Sequence, residues 1–132
     1  MKNFLKMIFS QTTYTPPADV QQKLSDKFPD IINVEWNKSG NNFEAIFYKD
    51  QLEYIALFEQ SGELLGYKMS ITEDLLPLQI KENLTEKGEI MNAVLNNQGN
   101  GITYEVILRD SHLKRFVFVL NETGTILSEK KL

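Results

Sequence analysis

The chain is 132 residues long, 42% hydrophobic and 24% charged, with a net charge of −4. These values suit one soluble globular domain with a sizeable core, and an acidic balance with scattered basic residues argues against a nucleic-acid partner. There is no cysteine, which excludes disulfides, thiolate catalysis and Cys-ligated metals, and no apolar run approaches the roughly 20 residues of a membrane-spanning helix.

The chain opens on Met1-Lys2-Asn3-Phe4-Leu5-Lys6-Met7-Ile8-Phe9-Ser10. Lys6 interrupts the apolar stretch and no small-x-small cleavage site follows, so the pattern reads as a short amphipathic arm over 1–14. Phe4, Leu5 and Ile8 would pack on the domain. Thr15 then precedes Pro16 and Pro17, a cap followed by prolines tolerated in a first helical turn. Val20, Leu24 and Phe28 fall four apart on one helix face, and Pro29 ends the helix. The period next drops to two: Ile32, Val34 and Trp36 alternate with Asn33, Glu35 and Asn37, which predicts a strand. Ser39-Gly40-Asn41-Asn42 is a turn, 43–49 and 52–59 are strands joined by Asp50-Gln51, and Gln60-Ser61-Gly62 leads into a fourth strand near 63–69.

The second half repeats the first. Pro17, Val20, Leu24 and Lys27 recur as Pro77, Ile80, Leu84 and Lys87, and Phe43-Glu44-Ala45-Ile46 recurs as Tyr104-Glu105-Val106-Ile107. Leu52 recurs as Leu113, and Ser61-Gly62-Glu63-Leu64-Leu65 as Thr123-Gly124-Thr125-Ile126-Leu127. A register drifting from 60 to 62 is what two copies with small loop insertions produce. Leu76, Ile80 and Leu84 predict the second helix, with Thr72-Glu73-Asp74 near its start and Gly88 as its stop. Strands follow near 90–95, 102–109, 112–120 and 125–130, with Gly99-Asn100-Gly101 as a turn rather than a phosphate loop, since no further glycine or helix follows.

Helix then four strands, twice, with short turns between the strands, predicts an α+β fold built as a tandem duplication of an α-β4 unit. The repeats occupy 15–70 and 71–132 of one domain, 15–132, with an antiparallel sheet and the helices packed on one face. With an even hairpin turn, Phe47 faces Tyr54, Ala45 faces Ala56 and Phe43 faces Phe58. That face lies under the helices, with Tyr104, Val106, Leu108, Val117 and Val119 from the second copy, and a three-residue turn would break the pairing. The other face is mixed. Tyr48, Ile55, Leu57, Phe116 and Phe118 would form an apolar centre edged by Glu44, Glu53, Glu105, Arg109 and Lys114, as interaction surfaces tend to be. Trp36 is a core residue or an aromatic anchor of that surface.

Catalytic and metal constellations are weak. His112 is the single histidine, at a predicted turn beside Ser111 and Asp110; it suits neither a zinc site nor an oriented triad. Glu44 and Glu105 are matched carboxylates that could serve as an acid/base pair only if a few ångströms apart. Alternation alone already places a polar residue at each position.

Pro17-x-x-Val20-x-x-x-Leu24, Phe28-Pro29, Val34-x-Trp36, Phe43-Glu44-Ala45, Ser61-Gly62 and Leu76-Pro77-x-x-Ile80 resemble the PepSY-like, beta-lactamase-inhibitor-like proteins over about 16–130. The resemblance implies helices on one side of a curved antiparallel sheet whose concave surface grips a protein target, with no catalytic motif and no cofactor. It also implies an exported protein, periplasmic or secreted, although the start carries no clear signal peptide. The resulting expectation is a non-enzymatic binding protein, inhibitor-like toward a peptidase or other enzyme. Its site would use Tyr48, Ile55, Leu57, Arg109, Phe116, Phe118 and Trp36. The alternative is a small-ligand module with a pocket between sheet and helices.

Overall fold

A computed structural model describes residues 14–132. The arm expected over 1–14, with Phe4, Leu5 and Ile8, lies outside the described residues except for Tyr14, whose ring stacks on Phe43 at 5.8 Å. In chain order come α1 (Ala18–Lys27), β1 (Ile32–Ser39), β2 (Asn42–Lys49), β3 (Leu52–Phe58) and β4 (Leu64–Ile71). A 3-10 turn (Glu73–Leu75) and α2 (Leu78–Leu84) lead to β5 (Glu89–Asn97), β6 (Ile102–Arg109), β7 (Arg115–Asn121) and β8 (Ile126–Lys131). The strands form one antiparallel sheet in sequence order, so the class is α+β.

Both helices start on a proline. The Pro17 carbonyl accepts from the N–H groups of Val20 and Gln21 at 3.1 and 3.2 Å, and Pro77 does the same for Ile80 and Lys81 at 3.0 and 3.2 Å. Neither helix has a side-chain cap, so Thr15 does not play that part. A proline just outside the helix has its φ already set and gives up an N–H that had no helical partner. Gly88 lies beyond the end of α2 and serves β6 instead: a Cβ there would stand 2.6 Å from the Arg109 carbonyl oxygen.

The facing of the sheet follows from its register. Directly opposed residues share a face, and the pairs Phe47–Tyr54, Tyr54–Met69, Met69–Leu95, Leu95–Tyr104 and Tyr104–Leu120 carry one face across six strands. Both helices cover that face. Val20, Leu24 and Phe28 pack against Trp36, Phe43, Ala45, Phe47, Ala56 and Phe58. Ile80 and Leu84 pack against Ala93, Tyr104, Val106, Leu108, Phe118 and Leu120. Each large side chain fully buried this way contributes about 1.5–3 kcal/mol.

Two expected facings fail. In β1, Ile32 and Val34 are 61% and 41% exposed, whereas Trp36 is buried. A bulge between Ile32 and Glu35, with Asn33 at φ 56°, adds a residue and sets Ile32 opposite Tyr48, on the side away from the helices. In the second half, β6 and β7 pair as Tyr104–Leu120, Val106–Phe118 and Leu108–Phe116. Phe116 and Phe118 therefore point toward the helices, and Val117 and Val119 away, the reverse of expectation. The cause is the turn. Asp50-Gln51 connects Lys49 to Leu52, with both turn residues at positive φ as a tight hairpin requires. In the other hairpin Asp110 accepts from and donates to Lys114 around Ser111-His112-Leu113, one residue more, with Leu113 at φ 63°.

Irregularities recur at matched places. Leu65 is an extra residue between the pairs Leu57–Gly66 and Phe58–Leu64, and Leu127 is one between Val119–Ser128 and Leu120–Ile126. The turns before them close alike, Glu59 N–H to the Glu63 carbonyl at 2.8 Å and Asn121 N–H to Thr125 at 3.0 Å. Gly62 and Gly124 both sit at φ 92° there, against Lys23 of α1 and Asn83 of α2.

Candidate binding face

The face that the helices leave open has an apolar middle. Ile46 lies opposite Ile55, Glu44 opposite Leu57, Val94 opposite Glu105, and Ile107 opposite Val117. Around these sit joined polar groups. The Tyr48 hydroxyl donates to Glu53 Oε2 at 3.2 Å, Lys68 Nζ meets Glu105 Oε2 at 3.3 Å, and Arg109 Nη2 meets Glu89 Oε1 at 2.9 Å. The Glu53 charge, then burial, pushes the Tyr48 hydroxyl above its ordinary pKa of 10.0.

A groove of about 550 Å³ crosses this face from β2 to β5. Ile55, Leu57 and Leu65 give it an apolar floor, and Ser39, Glu44, Lys68, Asn96 and Gln98 supply its polar walls. Gly66, opposite Leu57, makes the space by having no side chain. Its neighbour is the reason: a Cβ on Gly66 would lie 2.8 Å from the Asn97 carbonyl oxygen, so the approach of β4 to the end of β5 needs glycine.

Of the residues expected in the site, Tyr48, Ile55, Leu57 and Arg109 lie on the open face, and Ile55 and Leu57 line the groove. Trp36, Phe116 and Phe118 do not. The Trp36 ring packs on Phe58 at 5.9 Å, Phe118 is buried in the second core cluster and Phe116 packs against it. The groove residues that sequence reasoning missed are Ser39, Leu65, Gly66, Tyr67, Lys68, Asn96 and Gln98. Lys68 alternates with Tyr67 and Met69, a usable signal, but the bulge at Leu65 has no mark in the sequence.

Glu44 and Glu105 stand on β2 and β6, four strand spacings or roughly 19 Å apart along the sheet. That is beyond the roughly 5–9.5 Å of glycosidase carboxyl pairs, and Glu105 is tied to Lys68. His112 is an exposed turn residue whose backbone N–H donates to Asp110 Oδ1 at 2.9 Å. Among the described residues no cluster of His, Asp or Glu could hold a metal ion, and no helix is long and apolar enough to cross a membrane.

No protein-family model and no curated protein matches the chain. Solved structures do. A DUF2874 family protein from Bacteroides uniformis superposes with a TM-score of 0.78 at 18% identity, over 89% of this chain and 90% of that one. A protein from Bacteroides eggerthii, provisionally described as periplasmic, gives 0.79 at 14% identity, over 89% and 90%. A BLIP-like protein from Bacteroides fragilis gives 0.78 at 17% identity, over 93% and 91%. At these identities the likeness is one of fold: over the described residues the chain has the antiparallel-sheet and helix fold of a BLIP-like protein.

Proposed function

We propose that the open face binds another protein and that the chain is a non-enzymatic, inhibitor-like binding module whose target is a peptidase or another enzyme. The observation that carries this reading is the apolar-floored, charge-edged groove on the sheet face that, among the described residues, no helix covers. The BLIP-like neighbour supports it by analogy of fold alone. The binding residues are Tyr48, Ile55, Leu57 and Arg109, joined by Leu65 and Lys68. In affinity capture from the source organism, Leu57→Arg combined with Tyr48→Ala should remove most of the captured protein while the melting temperature holds. Full capture by that variant would refute the reading.

The small-ligand alternative moves to the open groove, whose volume falls in the range of small-molecule sites. The space between sheet and helices is filled by side chains such as Val20, Phe47, Phe58 and Ile80, all at 0% exposure.

We also infer that the halves are copies of one unit. The matched proline starts, the bulges at Leu65 and Leu127 and the paired glycine turns support this, because nothing in a generic α+β sheet requires any of them twice. An exported location is the corresponding proposal for the compartment, supported by the family resemblance and by the provisional periplasmic description of the B. eggerthii protein. Cell fractionation tests it directly.

A further inference from the structure

The groove lies at the acidic end of a polarised face. On the open side, β1–β3 present Glu35, Glu44 and Glu53 and, among the described residues, no lysine or arginine. The basic residues of these strands turn the other way: Lys38 pairs with Phe43 and stands 5.9 Å over the Tyr14 ring, and Lys49 donates to the Pro29 carbonyl. In β6–β8 the open side instead carries Arg109, Arg115 and Lys130 against one acid, Glu105. Among the described residues Lys68 is the one basic residue lining the groove, and Glu105 engages it.

We propose that the groove receives an extended segment of the partner protein in which an aliphatic or aromatic side chain is flanked by lysine or arginine. This rests on the binding role of the open face and names the chemistry of what it binds. From β2 to β5 the groove spans three strand spacings, roughly 14 Å, about four residues of extended chain. The apolar side chain enters the slot over Gly66, against Leu57 and Leu65. The carboxylate of Glu44 on the groove wall faces one flanking cation, and Glu53 adds negative charge farther along the same face of β3. The side-chain amides of Asn96 and Gln98 on the far wall can both donate to and accept from a peptide backbone. An acidic segment would meet like charge at the wall and be rejected.

The test uses fluorescence anisotropy with the labelled peptide Gly-Ser-Lys-Leu-Lys-Ser-Gly, a counterpart with glutamate for both lysines, and a counterpart with serine for leucine. The lysine–leucine peptide should bind about tenfold more tightly than either counterpart, and its affinity should fall as salt rises. Glu44→Gln should weaken it about fivefold and Leu65→Asp should abolish it, with circular dichroism confirming that both variants are folded. Equal or tighter binding of the glutamate peptide, or no binding of the lysine peptide at millimolar concentration, overturns the proposal. So does sedimentation showing the face closed by a second copy of the chain. If the peptides fail while Leu57→Arg with Tyr48→Ala still abolishes capture of the natural partner, the stated chemistry is wrong and the open-face reading stands. If capture survives that variant, the reading itself falls.

Discussion

The hairpins β2–β3 and β6–β7 occupy equivalent places under α1 and α2, yet one closes with two turn residues and the other with three. A sheet has a side-chain period of two, so one extra turn residue changes which members of the returning strand meet the core. The first hairpin sends Tyr54, Ala56 and Phe58 inward, and the second sends Phe116, Phe118 and Leu120. The inward sets then differ in character. Phe28, Phe47, Tyr54 and Tyr67 make a ring cluster with centroids 5.1 to 6.1 Å apart, whereas the second core is built on Ile80, Leu84, Leu108 and Leu120. Turn length and core composition differ together while the backbone plan is shared.

The sharpest way to break this comparison is to delete Arg115, which keeps the three-residue turn and shifts β7 by one residue against β6. That shift would drive Val117 and Val119 inward and expose Phe118 and Leu120, a loss of roughly 3–6 kcal/mol at about 1.5–3 kcal/mol per side chain. Loss of the cooperative thermal transition is expected; a transition within a few degrees of the parent would contradict the turn's role in facing. Next in size, Phe118→Ala should cost about 3–5 kcal/mol and Val117→Ala roughly 1 kcal/mol or less, read by urea denaturation. The reverse order would put β7 back in the register expected from the sequence.

Smaller effects probe the turn and the open face by pH. The hydrogen bond from the backbone N–H of Lys114, helped by that of His112 and opposed by desolvation, holds the Asp110 carboxyl below its ordinary pKa of 3.8. The folded pKa is depressed, so this contribution is present above pH 3.8 and lost as pH falls through the lowered value. An NMR titration of Asp110 should show the low midpoint, and Asp110→Asn should remove that part of the acid sensitivity. A midpoint at or above 3.8 would mean the carboxylate does not hold the turn. On the open face the sign is opposite. The Tyr48 pKa is raised above 10.0, chiefly by the charge on Glu53, so its hydrogen bond holds below pH 10.0 and is lost as pH rises through the raised value. Glu53→Gln should bring the Tyr48 midpoint down, observed on its ring resonances; an unchanged midpoint would remove Glu53 as the cause.

Much of this was legible because periodicity reports burial directly. The stripes Val20-Leu24 and Ile80-Leu84 and the pairing of Phe43 with Phe58 follow from spacing alone, and all are buried as expected. What stayed hidden turns on single added residues. Nothing in Ser111-His112-Leu113 separates a turn from the first residues of a strand, since Leu113 looks like the apolar start of β7 and instead sits in the left-handed region. The same holds for Asn33 in β1 and for Leu65, whose bulge brings it into the groove. Phe116 and Phe118 of the expected apolar centre were therefore assigned to the wrong face, while Tyr48, Ile55 and Leu57, beside a tight two-residue turn, lie on the face expected.

The sequential strand order has a consequence for how the molecule comes apart. Every neighbouring pair is closed by a short local turn except β4 and β5, which meet over Tyr67–Ile71 and Ala93–Asn97 after the chain has passed through the 3-10 turn and α2. Closing that longer loop costs entropy that no hairpin bears, so each half can form its own strands and helix first and dock along this seam afterwards. In amide hydrogen exchange the seam should open as a unit before either hairpin stack does. Because the groove straddles it, a bound segment spanning β2 to β5 would clasp the two halves together and slow their parting.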